Sequence, residues 1–90
     1  MIVVLDKSGN SMAGYGLIVY DDEDMALDEA AKLMSIVLGY EMTQASSCAL
    51  LVQQRGEYLV KRFKASQKVE AEACVSTFST NGLPCELIRL

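Results

Sequence analysis

The sequence predicts a small α+β domain: a three-stranded antiparallel sheet with three helices on one face, in the order β-α-α-β-α-β. Three observations lead to it. Two short β-branched or aromatic runs and one alternating C-terminal segment read as strands. Three stretches between them repeat apolar residues at helical spacing. Glycine, asparagine and the single proline punctuate the joins. At 90 residues the chain is one domain, and at 51% hydrophobic it is too apolar to be disordered.

The first strand is Tyr15-Gly16-Leu17-Ile18-Val19-Tyr20, read as central and bounded by Gly14 and a run of acids. An earlier apolar run, Ile2 to Leu5, is followed by the turn-forming Lys7-Ser8-Gly9-Asn10-Ser11. Residues 1–14 are therefore read as an N-terminal extension or an added edge strand, and residues 15–90 as the domain proper. After Asp21-Asp22-Glu23-Asp24, the residues Leu27, Ala30, Ala31, Met34 and Leu38 form one helical face, and Gly39 ends that helix in the left-handed conformation. Thr43 is the expected cap of a second helix, whose apolar face is Ala45, Cys48, Ala49 and Val52 and whose end is Arg55-Gly56. Tyr58 to Phe63 reads as the next strand. Ser66 is the expected cap of a third helix bearing Ala71, Cys74, Val75 and Phe78. Asn81-Gly82 and Pro84 stop that helix before the alternating strand Cys85 to Leu90.

Composition excludes several functions. There is no histidine, so Ser-His-Asp and Cys-His catalysis, His-containing zinc sites and imidazole switching are all absent. Eight basic against twelve acidic residues give a net charge of -4, which argues against a phosphate-neutralising nucleic-acid binder. The three cysteines, Cys48, Cys74 and Cys85, form no C-x-x-C pair and read as small buried hydrophobes in a reducing cytosol. No apolar run approaches the ~20 residues that span a bilayer, and the start lacks a basic signal-peptide region. The expectation is a cytoplasmic binding module that takes no metal or cofactor, rather than an enzyme.

The ordered motifs resemble the ClpS family. Tyr15 to Asp22 looks like that family's first strand and acidic turn. Gly39-Tyr40 with Gln44-Ala45 is similar to its inter-helix turn, and Val52-Gln53-Gln54-Arg55-Gly56 sits where it has V-H-x-x-G. Gly82-Leu83-Pro84-Cys85-Glu86-Leu87 is similar to its closing strand. The resemblance implies an adaptor that holds the N-terminal residue of a degradation substrate and delivers it to a Clp-type AAA+ unfoldase through that partner's N-domain.

Carried over position by position, Asp21 and Asp22 match the two acids that meet the substrate's α-ammonium group. Tyr20 stands where a pocket asparagine is expected, and Gln53 stands in the histidine position. Ala49 matches an apolar wall residue that is usually larger, and Met25 or Leu27 lies near a gating methionine. Lys68 lies near a basic residue that contacts the unfoldase. In place of the family's long N-terminal arm is the short apolar segment, which as an edge strand offers pairing in a homodimer.

Plainer readings stand beside these. Acids at a helix start meet the dipole's positive end, contributing about 0.3–1 kcal/mol each. Glu23 and Asp24 are read that way alone. Ala49 reads equally as core, Gln53 as a solvated helix residue, and Tyr20 and Tyr40 as packing residues with wet hydroxyls. The alternative function keeps the fold without N-terminal-residue recognition, as a protein-interaction domain similar to the C-terminal domain of the ribosomal stalk protein.

Overall fold

The strand expected at Tyr15 is the middle of the sheet, and everything else is arranged about it. A computed structural model describes residues 14–90, so the run Ile2 to Leu5, with its edge-strand and dimer readings, lies outside the described residues. The elements are β1 (Tyr15–Tyr20), α1 (Leu27–Leu38), α2 (Met42–Arg55), β2 (Glu57–Phe63), a 3-10 turn (Ala65–Gln67), α3 (Lys68–Thr80) and β3 (Cys85–Arg89). The sheet order is β2-β1-β3, and β1 pairs antiparallel with both neighbours. This is the expected β-α-α-β-α-β architecture, with the helices on one face.

The period-two pattern of β1 decides which face they cover. Leu17 and Val19 are fully buried, and they meet Met34 of α1 and Phe78 of α3 in a core that α2 completes with Ala45, Cys48, Ala49 and Val52. The small residues of α2 let it lie close against its neighbours. Helices α1 and α2 end as expected on left-handed glycines, Gly39 at φ 74° and Gly56 at φ 85°. No described helix is long and apolar enough to cross a membrane.

Both expected side-chain caps are overturned. Helix α2 starts at Met42 with Glu41 in the cap position, and Thr43 lies inside the helix, where its carbonyl accepts from Ser47 Oγ at 3.0 Å. Ser66 falls within the 3-10 turn. It is the Gln67 side chain that closes this turn, accepting the Lys64 N–H at 2.9 Å. Helix α1 begins only at Leu27, so Glu23 and Asp24 stand outside its first turn, which carries Asp28 and Glu29 instead.

A β-bulge interrupts the β1–β2 pairing. Leu17 faces Lys61 and Ile18 faces Leu59, leaving Val60 as the extra residue. The Tyr40 hydroxyl donates to the Val60 carbonyl at 2.6 Å, and Ser35 Oγ donates to the Tyr40 carbonyl at 2.6 Å. Tyr40 is thus an internal clamp between the α1–α2 connection and the bulge, not a tyrosine with a wet hydroxyl; burial pushes its phenol pKa up. Replacing Tyr40 by phenylalanine should cost about 1 kcal/mol in urea unfolding, the ordinary value of one such bond. A change indistinguishable from zero would mean that water replaces the clamp without loss.

Candidate functional site

The chain leaves β1 through Tyr20-Asp21-Asp22, and the backbone holds that exit from both sides. The Tyr20 N–H donates to the Pro84 carbonyl at 2.9 Å, and the Asp21 N–H donates to the Gly56 carbonyl at 2.8 Å. The turn is therefore pinned between the connections that lead into β3 and β2. Asp22 then folds the chain over itself. Its Oδ1 accepts the Asp24 N–H and its carbonyl accepts the Met25 N–H, both at 3.0 Å. The result is a half-buried carboxylate at the edge of the gap between α1 and α2.

That gap is a narrow cavity of about 20 Å³ that opens to solvent. Tyr20, Asp21, Asp22 and Gln53 supply its polar border. Met25, Leu27 and Ala30 wall one side, and Ala49, Val52 and Leu83 wall the other. Helix periodicity explains the two walls: Leu27 and Ala30 are three apart on α1, and Ala49, Val52 and Gln53 are three and four apart on α2. Ala49 and Val52 are also core residues, so the α2 wall of the cavity is the edge of the core itself.

All seven pocket residues named from the sequence border this one cavity. Lys68 does not; it is exposed as the first residue of α3. Three wall residues were not singled out as site residues: Ala30, Val52 and Leu83. The signal for the first two was their helical spacing from Leu27 and Ala49, and for Leu83 its place inside the Gly82-Leu83-Pro84 motif.

Tyr20 borders the cavity, but its hydroxyl is committed elsewhere, donating to the Glu86 carboxylate on the neighbouring strand. The pair lies at the surface, so the hydroxyl is wet as expected but has a carboxylate partner that the sequence did not suggest. That bond, with lesser help from desolvation and from the nearby Glu86 and Glu57 charges, pushes the Tyr20 pKa up to about 12. The pair persists below pH 10 and is lost as Tyr20 ionises on the way to pH 12. A spectrophotometric titration should therefore show a phenol near pH 12 that disappears in Tyr20→Phe and moves back toward pH 10 in Glu86→Ala. The three cysteines are free, and burial pushes each thiol pKa up, so they pack as small hydrophobes.

The fold around this cavity is similar to that of a solved protein, Agrobacterium tumefaciens ClpS2 bound to L-phenylalaninamide. The TM-score is 0.70 over 84% of this chain and 95% of that one, at 10% sequence identity. The chain has the ClpS fold. No known family's sequence profile and no curated protein matches it. At that identity the likeness to ClpS2 is one of fold, and the chemistry of the cavity rests on its own residues.

Proposed function

We propose that the chain is an adaptor-type binding module, not an enzyme, and that its cavity takes the N-terminal residue of a polypeptide. One observation carries the reading: carboxylates and an amide oxygen border a space whose remaining walls are apolar. A chain end offers the complementary pair, a cationic α-amino group and a side chain joined to the same carbon. Asp22 and Asp21 accept from the ammonium, and the Gln53 amide oxygen adds an uncharged acceptor. Met25, Leu27, Ala30, Ala49, Val52 and Leu83 receive an apolar first side chain, whose burial contributes roughly 1.5–3 kcal/mol. The L-phenylalaninamide bound to ClpS2 has those same two features, a free amine beside an apolar side chain. The proposed delivery partner is the N-domain of a Clp-type unfoldase, with exposed Lys68 as a contact.

Fluorescent peptides that differ only in the first residue test the reading. Binding should require a free amine, favour apolar first residues and vanish on acetylation of the amine. Binding that ignores acetylation would leave the other reading, a docking domain of the same fold without end recognition; the engagement of Tyr20 with Glu86 favours that reading. Lys68→Glu should weaken capture of the unfoldase N-domain while peptide affinity stays unchanged.

Gln53 has no ionisation in the working range, so affinity should be flat from about pH 5 to about 7. It should fall only as the peptide's own amine deprotonates, near pH ~8. A Gln53→His variant should introduce a step near pH ~6.5, where imidazole titrates. A step of that kind in the natural protein would assign the ammonium to some other group.

A further inference from the structure

The cavity between α1 and α2 is small, and the packing around it holds it small. Its open space is about 20 Å³. One water needs roughly 10–15 Å³, so the space takes roughly one or two methyl-sized groups. On the α2 side, Ala49 is 2% exposed, Val52 4% and Leu83 2%, and all three belong to the hydrophobic core. Moving them outward to gain room would open the close packing behind them. Leu83 is held further by its N–H bond to the Phe78 carbonyl at 2.9 Å.

On the α1 side the limit is Met25. Its N–H bond to the Asp22 carbonyl, at 3.0 Å, fixes where the side chain starts. Its tip lies beside the turn between α3 and β3: a Cβ at Gly82 would stand 3.9 Å from Met25 Cε. Beyond Met25 is an open groove of about 260 Å³, bordered by Glu29, Lys32, Leu33 and Ile36. Met25 borders both spaces and so stands as a partition between the narrow cavity and the wider groove.

A chain end has little freedom to avoid these walls. Its amine and its first side chain leave the same carbon, so an amine held at Asp22 and Gln53 commits the side chain to the space beside them. Resting on the reading of the cavity as a chain-end site, we propose that it selects polypeptides whose first residue carries a small apolar side chain. Alanine ranks first and valine next. Leucine and phenylalanine are turned away, because their side chains fill more than the cavity holds and overpack it against core residues on one side and Met25 on the other. The walls that receive the side chain are apolar, so a small polar side chain gains less than a methyl of the same size.

Calorimetric titration of the full chain tests this, with peptides that differ only in a first alanine, valine, leucine or phenylalanine. Each is used with a free and with an acetylated amine. The free-amine alanine and valine peptides should bind about tenfold or more tighter than the leucine and phenylalanine peptides, and acetylation should abolish binding throughout. Met25→Ala removes the partition and joins the cavity to the groove, so it should raise affinity for the phenylalanine peptide about tenfold. Leucine or phenylalanine binding the natural chain as tightly as alanine, with the free amine still required, would overturn the size selection and leave the chain-end reading standing. No gain for phenylalanine in a folded Met25→Ala variant would overturn the size selection as well. Binding of no peptide, or binding indifferent to acetylation, would overturn the chain-end reading and this inference with it.

Discussion

Truncating Phe78 to alanine is expected to lower the unfolding free energy by about 3–5 kcal/mol. Phe78 is fully buried and among the largest side chains in the core. It joins α3 to Leu17 and Val19 of the central strand, and its carbonyl accepts the Leu83 N–H at 2.9 Å, so the helix end and the β3 connection depend on its placement. A small domain has only about 5–15 kcal/mol in total. The variant should therefore show a large fall in urea midpoint by dichroism, near the limit of folding at 37 °C. Val69→Ala on the same helix is the control: Val69 is 80% exposed and should change stability by no more than about 0.5 kcal/mol. If Phe78→Ala moved the midpoint no further than Val69→Ala, α3 would not be packed as described.

At the cavity, the largest functional effect is expected at Asp22. Asp22→Asn keeps a side-chain oxygen for the Asp24 N–H, so the turn is retained while the charge is lost. A charge-assisted bond contributes about 1.5–3 kcal/mol, so affinity for a free-amine peptide should fall roughly 10- to 150-fold, with melting temperature unchanged. Asp22→Ala removes the turn acceptor as well, and should lose at least as much affinity together with some stability. Equal affinity in wild type and Asp22→Asn would show that the ammonium does not meet this carboxylate. Because Asp21 is the more exposed of the two, its removal should matter less.

The elements were legible in the sequence because their signals are local. Tyr15 to Tyr20 is a dense β-branched and aromatic run, the Leu27–Leu38 face repeats at helical spacing, and Gly39 and Gly56 terminate helices for a backbone reason. The pocket lining was legible too, because Asp22 and Gln53 belong to ordered motifs. What sequence alone did not yield depends on partners far along the chain. The Tyr20 hydroxyl finds Glu86, the Tyr40 hydroxyl finds Val60, and the bulge at Val60 exists only in the register against β1. The two caps were misplaced because Thr43 and Ser66 suit a helix start by composition, yet the helices start at Met42 and Lys68, where no side-chain cap is made.

The placement of β1 between β2 and β3 has a consequence for how the chain acquires its structure. Helices α1 and α2 are neighbours in sequence and can associate through local contacts, which form quickly. The sheet cannot: Tyr15 must wait for Phe63 on one side and for Arg89 on the other. During synthesis, the central strand therefore emerges long before its second neighbour, and one edge of it stays open until residues 85–89 have been made. Closure of the sheet is then the late step of folding. Damage to β3 should be seen first as slow refolding and aggregation of nascent chains.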